Sequence, residues 1–253
     1  MWEKVLVSMN TATIDRWMGR AKNRVKQVGI ELEGAWISPA MGRAIVRDGS
    51  VVIPSIPGPD GKPVPPPYVG EIASPPLMAT PTEIHAWVKK WYPVAVNETC
   101  GLHVHLSFGT LRYYHLLLCP DFTDAMFHYL HLWGEEQKLP KNHPLWARLS
   151  GTHVHCVKQF RGNEQARVAR KIYRDSPGAC RYTAINYPYK LHSTVEVRLL
   201  PMMETHQQAS KAIIQVMGIT SAFLRSRVKK EKGHRVEAIA PGEIAEHLAS
   251  SIA

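Results

Sequence analysis

The chain has 253 residues, of which 45% are hydrophobic and 21% are charged. This composition is typical of a globular protein and excludes a wholly disordered chain, and the length suffices for one sizeable core. Lysine and arginine outnumber aspartate and glutamate by 31 to 21, which gives a formal net charge of +10. The surface is therefore expected to attract polyanions such as a nucleotide triphosphate, a nucleic acid or an acidic lipid head group.

The cysteines and the apolar stretches bear on where the protein acts. The four cysteines form no C-x-x-C pair, which argues against a zinc ribbon or a disulfide framework and favours reduced thiols. No stretch reaches the roughly 18 apolar residues of a membrane span, and the first residues hold no continuous apolar run of the kind found in secretion signals. We therefore expect a soluble, cytoplasmic protein that does not enter a membrane.

Two carboxylates share one face of the first predicted strand. Residues 28–34 read V-G-I-E-L-E-G, in which apolar residues alternate with Glu31 and Glu33. A period of two places both glutamates opposite the apolar face. Like charges at this spacing repel, so the pattern is unfavourable unless a cation lies between them. The alternative is an edge strand with a solvated face.

The next segments alternate between breakers and regular elements. Residues 48–50 (D-G-S) predict a turn, residues 51–53 a short strand, and the proline-rich residues 54–67 a long loop, which we interpret either as a lid or as a surface spacer. A strand with Glu71 in its middle follows and ends at a proline pair. Thr82 is then expected to cap a helix that runs to about Tyr92.

The segment C-G-L-H-V-H-L-S at residues 100–107 predicts a strand with two histidines on one face. Its leucines and valine alternate with His103 and His105, which is the pattern of a half-buried strand. The alternative is that the imidazoles meet solvent or satisfy core hydrogen bonds. A helix is predicted over residues 123–139.

The second half of the chain repeats parts of this design. The sequence G-T-H-V-H at residues 151–155 makes His153 and His155 formally available as metal ligands, although we interpret it as a coincidental or surface strand. A basic helix over residues 163–174 is interpreted as a solvated face. Residues 193–200 read S-T-V-E-V-R-L-L and place Glu196 and Arg198 on one strand face. A long helix from Thr205 to about residue 225 follows.

Four separate strands thus place polar chemistry opposite their apolar residues, which predicts one sheet whose open face is a site. A basic protein that concentrates carboxylates there is best explained by divalent cations, because oxygen ligands suit Mg²⁺ or Mn²⁺ and a histidine is tolerated among them. An arginine beside such a cluster matches the geometry of a phosphate group.

Five motifs carry a family resemblance: G-I-E-L-E-G at 29–34, E-I-A-S-P-P-L at 71–77, C-G-L-H-V-H-L-S at 100–107, R-Y-T-A-I-N at 181–186 and T-V-E-V-R-L at 194–199. In order and spacing the chain resembles the amidoligases, which belong to the superfamily of glutamine synthetase and glutamate-cysteine ligase. The resemblance covers roughly residues 28–223. The proline-rich segment and the G-T-H-V-H segment lie outside the family pattern, and the latter leaves the role of Arg148 open.

The resemblance implies an α+β fold like the catalytic domain of glutamine synthetase, with a curved, mainly antiparallel sheet and helices on its convex face. This amidoligase-like catalytic domain would span residues 1–225, and residues 226–253 would form a basic linker and a short C-terminal helix. The concave face would bind ATP and Mg²⁺ or Mn²⁺. A carboxylate of a small molecule or peptide would be phosphorylated by ATP, and an amine would displace phosphate from the acyl-phosphate intermediate to form an amide.

The resemblance also implies residue roles, carried over motif by motif. The metal ligands would be Glu31, Glu33, Glu71, His103, His105 and Glu196. Arg198, His103 and His105 would be catalytic, with Arg198 steadying the transferring phosphoryl group. ATP would be bound by Arg198, Arg181, Asn186 and Ser74. Which histidine contacts metal stays open, as do the two substrates, the pathway and the oligomeric state.

Two other functions remain as alternatives. The net charge and the basic tracts at residues 167–174 and 225–235 are compatible with a nucleic-acid-binding protein, or with a ligase whose substrate is anionic or linked to a nucleic acid. The same glutamates and histidines could instead serve a metal-dependent hydrolase, which would turn over its substrate without ATP.

Overall fold

The computed structural model describes residues 24–150, 183–188 and 193–230. Several predictions lie outside these residues: the strand with His153 and His155, the basic helix over 163–174, the position of Arg181 and the short C-terminal helix. Within the described helices, none combines the length and the apolar character needed to cross a membrane.

The described residues form short and long elements in mixed order. The strands are β1 (Val25–Trp36), β2 (Ile56–Pro57), β3 (Pro63–Val64), β4 (Tyr68–Ala73), β5 (Leu77–Met78), β6 (Gly101–Phe108), β7 (Ile185–Asn186) and β8 (Val195–Pro201). The helices are α1 (Pro39–Gly42), α2 (Pro81–Trp91), α3 (Leu111–Leu117), α4 (Pro120–Glu136), α5 (Pro144–Arg148) and α6 (His206–Lys230).

One antiparallel sheet organises the fold. Its strands lie in the order β4-β1-β6-β8-β7, and β5 pairs with the first half of β1. Every pairing in this sheet is antiparallel. Helix α6 packs against α2 and α4 and contacts β6 and β1. The predicted fold class, α+β with a mainly antiparallel sheet and helices packed against it, is confirmed at this level.

The alternating sequence of the central strands explains why one face is covered and the other carries the polar residues. On β1, Val28 and Leu32 have no exposed surface, and on β6 the same holds for Leu102 and Val104. These side chains belong to the core cluster that also takes in the apolar residues of α2, α4 and α6. Because successive residues of a strand point to opposite faces, the glutamates and histidines between them lie on the other face.

Three helices begin or end at residues other than those that the sequence pattern predicts. Helix α2 begins at Pro81 and its cap is Thr80, whose hydroxyl accepts from the Glu83 N–H, so the prediction of Thr82 as the cap is wrong. Proline suits the first helical position because it has no N–H to leave unsatisfied. Helix α4 likewise begins at Pro120 rather than at residue 123. Helix α6 continues to Lys230, so its last residues do not belong to a linker.

The segment between β1 and β4 differs most from the prediction. Residues 51–53 form no strand, because side chains hold the backbone of Val52: its N–H donates to the Thr99 hydroxyl at 3.1 Å and its carbonyl accepts from the Asn97 amide at 2.7 Å. The proline-rich residues 54–67 are not structureless, since Ile56 pairs with Val64 in the small β2–β3 hairpin. Ile56 is 6% exposed and anchors this hairpin to the core.

Candidate functional site

Strand register brings the polar side chains together on the polar face of the sheet. Glu31 lies opposite His103, and His105 lies opposite Glu196. Directly paired residues of antiparallel strands point to the same side, with their Cβ atoms about 5 Å apart. Side chains from β1, β6 and β8 therefore meet in one cluster at the centre of the sheet.

Glu31 is hydrogen-bonded to both histidines of this cluster. Its Oε2 accepts from Nδ1 of His103 and its Oε1 from Nε2 of His105, both at 3.0 Å. Burial alone would raise the pKa of Glu31, but these two hydrogen bonds and the charges of the imidazoles hold it well below its usual range. The same contact raises the pKa of His105 although burial opposes this. Glu31 is thus an ionised carboxylate, the form that a metal ligand requires.

Glu196 is held from two sides by strands β7 and β8. Its Oε2 accepts from the Asn186 amide at 2.7 Å, and its Oε1 accepts from Nη1 of Arg198. Glu196 is only 3% exposed. Burial would raise its pKa, yet the charges of Arg198 and the two histidines lower it. Burial would lower the pKa of the Arg198 guanidinium, but the charge and the hydrogen bond of Glu196 raise it by more. Arg198 therefore stays charged.

Strand β8 is irregular where it carries Arg198. Leu102 pairs with Leu200 and Val104 with Val197, so Arg198 and Leu199 together oppose the single residue His103. Such a bulge bends a strand and changes the direction of its side chains, and bulges are common next to active sites. The arginine is therefore set at the one place where the β6–β8 ladder departs from its regular pattern.

A second carboxylate group lies on the β4 side of the cluster. Glu33 pairs with Glu71 across β1 and β4. Oxygens of Glu33, Asp48 and Glu71 lie within 4.8 Å of one another, as do ligand atoms of Glu31, His105 and Glu196 in the first group. Burial and the charge of Glu31 raise the pKa of Glu71 to about 7. The repulsion between carboxylates this close together is reduced when a cation binds or when one of them is protonated.

Asp48 is the residue of this second group that the sequence pattern missed. The pattern indicates only a turn, and Asp48 does form one, since its Oδ1 accepts from the N–H and the hydroxyl of Ser50 at 2.8 Å. An isolated antiparallel β-bridge between Val46 and Glu71 places Asp48 close to the site. That bridge needs Gly70, whose φ is +153° and where a Cβ would lie 2.1 Å from the Val46 carbonyl oxygen.

A cleft of about 370 Å³ adjoins the first group. Glu31 and His105 form part of its wall together with Ser74, Ser107 and Thr194. The Thr194 hydroxyl is hydrogen-bonded to Nδ1 of His105 at 3.1 Å, which orients the ring. Ser74 lies in the wall with its oxygen accepting from the Ile30 N–H at 2.9 Å. A ligand in the cleft would therefore touch the cluster directly.

The chemistry of the two groups fits hard divalent cations. Their ligand atoms are carboxylate oxygens with one imidazole nitrogen, a set that Mg²⁺ and Mn²⁺ accept. Most of the residues predicted for the site lie in the central cluster: Glu31, His103, His105, Asn186, Glu196 and Arg198. Glu33 belongs to the second group and lies next to this cluster, 3.6 Å from Nε2 of His103. Glu71 lies in the second group, Ser74 in the cleft wall, and Arg181 is outside the described residues.

Comparison of the chain with protein-family models, with curated proteins and with solved structures found no match.

Proposed function

We propose that the protein is an ATP-dependent carboxylate–amine ligase of the amidoligase type, with the fold of a glutamine synthetase catalytic domain. The observation that carries the proposal is the charged guanidinium of Arg198, which is paired with Glu196 on the sheet face that also holds the two candidate metal-binding groups. Phosphoryl transfer needs positioning and charge neutralisation more than it needs a protein nucleophile, and this site offers both. The five sequence motifs point to the same reaction.

Each group has a role in this proposal. Glu31, Glu196 and, once its ring nitrogen has given up its proton, His105 would hold one Mg²⁺ or Mn²⁺, and Glu33, Asp48 and Glu71 would hold a second. Divalent cations held at these places would neutralise phosphate charge. His103 lies between the groups, with Nδ1 3.0 Å from Glu31 and Nε2 3.6 Å from Glu33, and would hold both carboxylates in place.

Arg198 would bind the transferring phosphoryl group. A guanidinium presents several N–H donors in a planar fork that matches phosphate oxygens. Glu196 fixes one arm of this fork through Nη1, and Asn186 fixes Glu196 in turn. The arginine is thus oriented before substrate binds, which is what catalysis by preorganised charge requires.

The cleft beside Glu31 would hold the organic substrates. A volume of about 370 Å³ lies at the lower end of the range of small-molecule sites. The acid would come from a small molecule or a peptide, and the net charge of +10 favours an anionic acid, including one linked to a nucleic acid. An amine would then displace phosphate from the acyl phosphate. We assign this activity to the cytoplasm, since the cysteines follow no disulfide pattern.

The test is turnover of ATP by the full chain with Mg²⁺ and a panel of carboxylic acids and amines. Release of phosphate that requires both an acid and an amine, with an amide detected by mass spectrometry, is the expected result. Glu196→Gln should abolish it, whereas Glu98→Gln, which changes an exposed glutamate outside the cluster, should not.

Other outcomes identify the rival functions. Hydrolysis of an amide or ester without ATP would identify a metal-dependent hydrolase instead. Salt-sensitive DNA binding that persists in Glu33→Gln, with no ATP turnover in the wild type, would identify a nucleic-acid-binding protein.

A further inference from the structure

Arg148, the last residue of α5, is an arginine buried beneath the site. It is 2% exposed and ranks among the largest fully buried side chains of the described residues. A guanidinium is always charged, and its burial is unfavourable unless its N–H groups are hydrogen-bonded. The contacts that it makes therefore indicate why an arginine lies there.

Arg148 binds the main chain of two neighbouring strand segments. Its Nη2 donates to the carbonyl of Cys100 at 3.2 Å, and its Nη1 donates to the carbonyl of Arg198 at 3.3 Å. Cys100 directly precedes Gly101, whose N–H donates to the carboxylate of Glu33. One guanidinium thus joins the backbone next to Glu33 with the backbone of the proposed phosphate-binding arginine.

The contact with Arg198 falls on the bulge of β8. The N–H of Arg198 donates to the Ala184 carbonyl at 3.0 Å, and its carbonyl accepts from Arg148. With both main-chain groups anchored, the direction in which the side chain of Arg198 leaves the strand is fixed. A bulge disrupts the regular ladder locally, so the hydrogen bond from Arg148 to this carbonyl adds a contact that holds the backbone there.

We propose that Arg148 is a positioning residue, which aims Arg198 and holds the start of β6 against Glu33 by clamping the Cys100 and Arg198 carbonyls. The proposal rests on the proposed function, since it takes Arg198 and Glu33 as parts of the reaction machinery. Lysine cannot replace arginine here, because a single ammonium on a flexible stem does not span two carbonyls as a planar fork does.

The first experiment compares Arg148→Lys with Arg24→Lys in the ATP turnover assay. Arg24 is a matched control, because it is a partly buried arginine whose Nη1 donates to the Tyr113 hydroxyl at 2.8 Å, away from the cluster. We expect Arg148→Lys to lower kcat at least about tenfold with a smaller change in KM for ATP, and Arg24→Lys to leave kcat unchanged.

A double variant separates positioning from general stability. If Arg148 acts through Arg198, Arg148→Lys should cause little further loss of kcat in an Arg198→Lys background. A lower Tm with unchanged kcat per folded molecule, or losses that simply multiply in the double variant, would overturn the proposal. If Arg148→Lys does not fold, Arg148→Gln is the second variant, because its neutral amide can still donate to one carbonyl.

Hydrogen exchange tests the clamp without relying on turnover. Arg148→Lys or Arg148→Gln should speed amide exchange at residues 101–102 and 198–199 more than elsewhere in β6 and β8, and Arg24→Lys should not. Absence of ATP turnover in the wild type would overturn the proposed function while this measurement still tests the clamp. Unchanged exchange at these amides would overturn the clamp even if the wild type is an active ligase.

Discussion

Glu33 on β1 accepts a hydrogen bond from the backbone N–H of Gly101, the first residue of β6. This contact ties a carboxylate that is 4% exposed to the neighbouring strand. A Cβ on residue 101 would lie 2.7 Å from Nε2 of His103 and 3.0 Å from Oε2 of Glu33. The absence of a side chain at this position therefore lets the carboxylate and the imidazole approach each other.

Gly101→Ala should displace both His103 and Glu33 and lower ATP turnover by about 100-fold, the loss expected for a misplacement of about 1 Å. The matched control is Gly109→Ala, since a Cβ there meets nothing within 4 Å. Steady-state kinetics and thermal unfolding of both variants provide the check. Equal turnover in the two alanine variants would show that the site tolerates a wider spacing.

Metal and nucleotide should stabilise the protein together. Crowded carboxylates repel one another, so Mg²⁺ with ATP is expected to raise Tm, and a chelator should reverse the rise. At a ligand concentration of 100 times Kd the gain is about 2.7 kcal/mol. Glu33→Gln should lose most of this shift and Glu98→Gln none. A Tm of the wild type that does not respond to Mg²⁺ and ATP would contradict the cation site.

Arg198→Lys should keep the charge at the site but lose the fork that matches phosphate. We expect phosphate release to fall by about 100-fold, with Tm close to that of the wild type. Single-turnover kinetics with ATP provide the measurement. The opposite pattern, a lower Tm with unchanged turnover per folded molecule, would mean that Arg198 serves only as a structural ion-pair partner of Glu196.

The raised pKa of Glu71 predicts how stability depends on pH without metal. The folded carboxyl has a pKa of about 7 against an ordinary value of 4.5. Between these values the folded state binds more protons than the unfolded state, so the free energy of unfolding falls as pH rises through this window. Glu71→Gln removes the titrating group and should become more stable relative to the wild type as the pH rises from 5 to about 7.

Chemical denaturation in the presence of a chelator provides the measurement for Glu71. The difference in unfolding free energy between Glu71→Gln and the wild type should grow with pH and level off above pH 7. Glu98→Gln is the control and should follow the wild type at every pH. A constant difference between Glu71→Gln and the wild type would show that Glu71 is not protonated in the folded state.

Periodicity was sufficient to predict the faces of the central strands. The alternation around Glu31, His103 and Glu196 follows from the two-residue repeat of a strand, which depends on local geometry alone. The structure has strands at each of these segments, with the apolar residues buried as the pattern indicates. The pattern predicted helix caps less well, since Thr80 and Thr82 both precede apolar helical positions. Only Pro81, which takes the first helical position, distinguishes Thr80 as the cap.

Contacts between segments far apart in the chain decided which further residues join the site. Asp48 reaches Glu71 because Val46 bridges β4 beside Gly70, and Arg148 reaches Arg198 because α5 packs against β8. No spacing in the sequence encodes these approaches, since they depend on strand register and on packing between residues far apart in the chain. The sequence alone determined which residues lie on the polar face of each strand. The tertiary structure decided which of them lie opposite one another and which additional charges join them, because register, burial and distance are properties of the assembled fold.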